Sequence, residues 1–283
     1  MYINSIRHFA FLFFVLSAAV LYAQENAADG SGLSPDSLLL KGIRIFQEGY
    51  NQWSRDLFFD AHAAFQNVTE RSPEELSGYY WKGVAEFYIL TQALYSVDTY
   101  KDPDIASEYL DKGIDTFRRA LEQSDSCAEC HALLATLYGI AISRNPFKAV
   151  TLGPRVQNHM KTALSLDRDN PRIHYLAGMS YLFTPGFLGG GTDKAIEYLR
   201  KSESFFARES GQKKSPTAPQ WGYSTALAFL GRAYEARGKD SQAVAYFKKA
   251  LKINRHDLVA QDGLKRMKTG ENRRNKTMPE QSR

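Results

Sequence analysis

STALAFLGRAYEARGKDSQAVAYFKKALKINRHDL, residues 224–257, decides the fold. Apolar residues recur at helical spacing on both sides of Gly238, which breaks the chain for a turn. Gly231 and Ala243 are small where two helices would cross closely, and Tyr234 and Phe247 would fill the gap between them. Asp240 or Ser241 is placed to cap the second helix. The stretch therefore reads as one helix–turn–helix unit. A unit of this kind cannot bury its own apolar face, so further units must stack on it to supply a core.

Leu230, Gly231, Tyr234, Ala243, Phe247 and Ala250 fall at the spacing L-G-x2-Y…A-x3-F-x2-A, which resembles the tetratricopeptide repeat (TPR). The resemblance implies an all-α solenoid whose repeats build binding surfaces and carry no chemistry of their own. Weaker copies of the pattern lie upstream. Ala135 and Tyr138 with Ala163-Leu164, and Gly178 and Tyr181 with Ala195 and Leu199, repeat the small–aromatic and Ala–Leu positions; Gly83, Gly113, Phe117 and Ala120 match more loosely. The periodicity gives about five helix pairs: 36–50 with 55–71, 75–95 with 103–123, 127–142 with 154–166, 172–183 with 193–207, and the clear repeat. A capping helix is expected over 258–267. Insertions at 143–153 and 184–191 fall inside pairs, and the Lys-, Ser- and Pro-rich stretch 210–220 is expected to be mobile. Residues 170–195 also resemble exported bacterial TPR proteins of unassigned activity, a likeness that brings no catalytic residue with it.

The ends read differently. Arg7 and His8, an apolar run from Phe9 to Tyr22 and then Ala23-Gln24 have the layout of a secretory signal peptide. The run is short for a membrane span, and no later stretch could be one. The domain reading is therefore signal peptide 1–23, flexible lead-in 24–35, solenoid 36–268 and basic disordered tail 269–283. The chain of 283 residues carries a formal net charge of +5. From Lys265 to Arg283 there are seven Lys/Arg and two acidic residues, so the tail alone gives 7 − 2 = +5 and the body is close to neutral. The basic balance thus gives no reason to expect nucleic acid.

Cys127-Ala-Glu-Cys130-His131 holds the two cysteines of the chain. In an exported protein they could form a local disulfide at a helix start. C-x-x-C-H is also the attachment pattern of haem c, with His131 as iron ligand and His159, Met160, His174 or Met179 as second-ligand candidates. Redox exchange or a metal is a third reading. Gly189-Gly190-Gly191 before a helix could bind an anion, but no strand or P-loop lysine accompanies it, and a permissive turn explains it. By repeat register, Tyr80, Phe87, Tyr88, Thr136, Tyr175, Met179, Arg232 and Glu235 would face the concave groove of the array. Aromatic side chains with a few polar groups there suit a peptide or an apolar ligand.

No hydrolase elbow, zinc H-E-x-x-H or calcium loop is present. The expectation is a non-catalytic, exported scaffold, periplasmic in location. It would bind a protein, peptide or apolar ligand in its groove as an adaptor in a cell-envelope complex, with no resident cofactor and no membrane span in the mature chain. Self-association is compatible with this reading. The rival is a periplasmic electron-transfer protein with one covalent haem on Cys127 and Cys130.

Overall fold

The computed structural model describes residues 33–95, 102–184, 186 and 189–277. The signal peptide and almost all of the lead-in expected before Leu33 lie outside them. Eleven α-helices are described: α1 (Pro35–Gln52), α2 (Arg55–Arg71), α3 (Leu76–Tyr95), α4 (Pro103–Gln123), α5 (Ala128–Arg144), α6 (Ala149–Leu166), α7 (Pro171–Phe183), α8 (Thr192–Glu209), α9 (Tyr223–Ala236), α10 (Asp240–Ile253) and α11 (Leu258–Thr277). A 3-10 turn, Pro146–Lys148, leads into α6. Consecutive helices pack as antiparallel-type pairs, α1 with α2 through α9 with α10, and α11 covers the last pair. The chain is an all-α, TPR-like solenoid of five helix pairs with a capping helix.

Local chemistry sets the helix starts. Ser34, Ser54, Asp102 and Asn170 accept hydrogen bonds from the first backbone amides of α1, α2, α4 and α7. Proline opens α1, α4 and α7, where its missing N–H costs nothing. Two helices depart from their expected bounds. α6 begins at Ala149 rather than Pro154, so Pro154 lies inside it and forgoes one bond to the turn before. α11 runs on to Thr277 rather than ending near Met267, because Lys265–Thr277 is mostly made of residues that tolerate helix.

The pairs interlock through one repeated device. A first-helix glycine lets a large second-helix side chain lie against the backbone: Gly42 under Phe65, Gly83 under Phe117, Gly178 under Leu199 and Gly231 under Phe247. A Cβ at Gly231 would stand 2.7 Å from the Phe247 ring, closer than packing allows. The third pair lacks the glycine and uses alanines instead, with Ala132, Ala135 and Ala163 fully buried.

First and second helices differ in burial. Twelve of the 17 residues of α5 are buried, on every face, whereas in α10 only Ala243, Phe247 and Ala250 are. The first helices therefore form an inner layer and the second helices an outer, one-sided layer. The inner layer closes on itself. The Tyr50 hydroxyl accepts a hydrogen bond from the Gly222 amide at 3.1 Å and lies 2.9 Å from Ser224 Oγ. Asn254 donates to the Tyr50 carbonyl at 2.8 Å, and Trp221 Nε1 donates to the Tyr80 hydroxyl at 3.1 Å. Tyr88 sits edge-on to the Trp221 ring at 5.9 Å. The first pairs thus meet the last, and the concave side is filled with core.

Candidate functional site

Closure changes the meaning of the expected groove. Tyr80, Phe87, Tyr88, Thr136, Tyr175 and Met179, expected to face the groove, are all buried, with Phe87, Tyr88 and Tyr175 fully so. Tyr88 is ringed by Phe46, Tyr50, Trp53, Phe58 and Trp221. Thr136 spends its hydroxyl on the Ala132 carbonyl, and Tyr175 donates to the Met179 sulfur. These six are core packing and not an open ligand surface. Arg232 and Glu235 are apart from them, at a shallow recess of about 310 Å³ with Leu182, Phe183 and Arg266. There Arg266 forms two hydrogen bonds to the Glu235 carboxylate, and the Arg232 guanidinium lies over the Phe183 ring at 5.6 Å.

The larger recess lies at the seam of closure, a cleft of about 500 Å³ between α1, the end of α8 with the loop after it, and the end of α10. α1 contributes Gln47, Tyr50 and Asn51; the α8–α9 connection contributes Gln212, Lys214, Gln220 and Trp221; Ile253 and Asn254 close the far side. Five carboxamides line the cleft: Asn254 is buried and donates to the Tyr50 carbonyl, Gln47 donates to Asn51 at 3.3 Å, and Asn51, Gln212 and Gln220 belong to exposed residues. Ile253, 52% exposed, is an apolar lip.

A buried ionic chain holds the cleft floor. Arg172 Nε donates to Glu129 at 2.7 Å, and its two terminal nitrogens each donate to Glu209 at 2.9 Å. Lys214 donates to the same Glu209 carboxylate at 2.6 Å and to the Pro219 carbonyl, which pins the 210–220 connection. Tyr80 donates to Glu129 from the other side. Burial works to raise the Glu209 pKa, but Arg172 and Lys214 together hold it below the ordinary carboxylate range. Burial works to lower that of Arg172, and Glu129 and Glu209 raise it instead, so the guanidinium stays charged. Burial and the Glu129 charge push the Tyr80 phenol well above its usual value. The charges of Arg172, Glu129, Glu209 and Lys214 are matched to one another within the protein, which builds a rigid floor.

Cys127 and Cys130 are joined at the start of α5 with an S–S distance of 2.00 Å. His131 follows them: its Nε2 donates to the Asp125 carbonyl at 2.9 Å, which leaves Nδ1 to accept from His159 Nδ1 at 2.7 Å. Burial, then the neighbouring His131 and Arg155, lower the His159 pKa. Haem attachment needs both sulfurs and an open ring nitrogen. Here the sulfurs bond each other, Cys130 is fully buried and both His131 nitrogens are engaged, so the arrangement as folded does not fit a haem. His174, another ligand candidate, is hydrogen-bonded to the Arg168 carbonyl and packs on Tyr198 and Phe205. Among the described residues no group of three or more His, Cys, Asp or Glu is placed to hold a metal, and no helix is long and apolar enough to cross a membrane. Asp193 after the triple glycine pairs with Arg237.

Sequence reasoning missed Glu129, Arg172, Glu209, Trp221 and Asp257, the polar and aromatic residues that hold the seam. Glu129 stood inside the Cys127–His131 motif, where the cysteines drew the reading, and the other four are single residues with no local motif around them. Arg172 at a buried helix start and Asp257 at the cap position of α11 are the only faint signals.

Comparison with known proteins follows the same lines. Residues 224–257 match the tetratricopeptide repeat family, and residues 54–183 match the family described as regulator of microtubule dynamics protein 1-3. No curated protein matches the chain by sequence. Among solved structures, a thermophilic TPR protein of Thermus thermophilus superposes with a TM-score of 0.57 at 15% identity, covering 83% of this chain and 98% of that one. The HusA haemophore of Porphyromonas gingivalis gives 0.58 at 19% identity over 73% and 96%. Human IFIT1, as a dimer with PPP-AAAA, gives 0.54 at 16% over 79% and 44%. At these identities the likeness is one of fold.

Proposed function

We propose, from the premise that this chain is a tetratricopeptide-repeat protein, that it is a non-catalytic binding protein of the cell envelope whose working surface is the seam cleft. The concave face, where such arrays hold partners when open, is occupied here by the protein's own core. One observation carries the reading: carboxamides from separate elements, Gln47 and Asn51 on α1 with Gln212 and Gln220 beyond α8 and Asn254 after α10, line a cleft of about 500 Å³. A carboxamide donates and accepts at once, as a peptide group does, so the set matches an extended backbone. The exposed lip at Ile253 would then choose among side chains. Export supplies the setting, on the strength of the N-terminal apolar run, and makes an adaptor in an envelope assembly the natural role.

The test is a photoreactive p-benzoylphenylalanine in place of Gln212, irradiated in cells. One defined protein adduct is expected, lost when Asn51→Trp fills the cleft and missing when the probe replaces the outward Asp111 on α4. Equal adducts at residues 212 and 111, or none at 212, would dismiss the cleft. The electron-transfer rival is separated by a visible spectrum of the protein purified from its native location, where only covalent haem survives acid extraction as a Soret band.

A further inference from the structure

α6 packs on its partner α5 through Leu152, Val156, Met160 and Leu164, yet it is the outer helix least covered by the pair that follows. Ala163 is its only buried residue, and it touches the following pair only lightly. Its N-terminal end projects. Phe147 is 91% exposed and Val150 84%, the two most exposed large apolar side chains described. With Pro154 they fall at i, i+3 and i+7, one helical face, and Pro146 beside them is exposed too. Pro154 removes a hydrogen bond to this first turn, so the turn is weakly tied to the helix behind it.

The charges around this face share one sign. From Ser143 to Leu166 the chain carries Arg144, Lys148, Arg155 and Lys161 and no acidic residue, whereas the body as a whole is near neutral. A projecting apolar tip on a segment whose charges are all basic matches an anionic lipid surface, where the tip would enter the headgroup boundary and the cations would meet lipid phosphates. A protein partner would need a matching acidic pocket, and a second copy of this chain would set like charges against each other.

We infer that the 146–155 tip is a peripheral anchor which seats the protein on an anionic membrane by inserting Phe147 and Val150. This goes beyond the cleft reading and stands without it. It also differs from a contribution of the basic C-terminal tail, which carries charge but no comparable apolar tip.

The experiment uses the chain from Gln24 on, because the whole described core lies at or beyond Leu38. Phe147→Trp makes the tip fluorescent, while Trp53, Trp81 and Trp221 are buried and serve as a constant background. Vesicles of phosphatidylcholine with roughly 30% phosphatidylglycerol at about 0.15 M salt should shift the emission of the introduced indole to the blue, and brominated acyl chains should quench it. Pure phosphatidylcholine should do neither. Phe147→Ser with Val150→Ser should lower partition onto the anionic vesicles about tenfold or more without moving the thermal midpoint. An unmoved signal from the introduced indole, or unchanged partition of the double serine variant, would overturn the proposal and assign any binding to the tail. A blue shift that grows with protein concentration without lipid would overturn it in favour of self-association.

Discussion

Asp257 offers the sharpest perturbation of the closure. It is fully buried between α9 and α11, with Oδ1 accepting from the Ala260 amide at 3.1 Å and Oδ2 from the Thr225 hydroxyl at 3.2 Å. Burial pushes its carboxyl up from 3.8 to about 6, against the lowering effect of those hydrogen bonds. The folded chain therefore holds this proton more tightly than the unfolded chain does. Between about pH 4 and pH 6 the folded state carries more protons at Asp257, so stability falls as pH rises through that window and levels off above it. The difference is 6 − 3.8, about 2.2 pKa units, or about 3 kcal/mol. Asp257→Asn keeps the shape and the cap acceptor while removing the charge. The variant's unfolding free energy, taken relative to the parent, should then rise by about 2 kcal/mol from pH 4 to pH 7, the rest of the difference lying below pH 4. Urea unfolding followed by the fluorescence of buried Trp81 and Trp221 measures it, and the difference cancels the other carboxylates. A difference flat to within about 1 kcal/mol across that range would refute the reasoning, since the carboxylate would then be as content folded as unfolded.

Two further outcomes follow from the seam and from α5. Arg172→Ala leaves Glu129 and half-buried Glu209 without their shared cation, and should cost about 3–5 kcal/mol in the same assay at pH 7; adding Glu129→Gln should recover part of the loss, and failure to do so would mean that lost packing on Trp221 and Phe206 is the greater term. Reducing the Cys127–Cys130 bond should cost no more than about 2 kcal/mol, because the loop it closes spans a sequence separation of 3; a collapse of the fold on adding reductant would show that the bridge organises more than the start of α5.

Much of the architecture was legible because the signals are local. Gly231 and Phe247 sit in one short repeat, and 3.6-residue periodicity runs through every pair, but the cap expected from Asp240 or Ser241 is not formed: α10 starts at Asp240, after Lys239, with no side-chain cap. That Phe87, Tyr88 and Tyr175 belong to first helices was legible as well, and all three are buried. What buries them was not. Whether an inner face is groove or core depends on Tyr50 reaching Gly222, Ser224 and Asn254, as much as 204 residues away along the chain. No periodicity encodes such a contact. For the same reason the cleft was invisible: Gln47 and Gln212 are ordinary surface residues until closure brings α1 beside the α8–α9 connection.

An open repeat array can gain or lose units in evolution, because each unit answers only to its neighbours and the ends are free. Here Tyr50 and Asn254 make the first and last units neighbours, so the number of units becomes a geometric constant. One pair more would wedge the seam apart, and one fewer would leave Trp221 with nothing to cover it. Synthesis feels the same constraint: helices α1 to α8 can emerge and pair in order, yet the inner layer stays wet until the final repeat arrives to seal it.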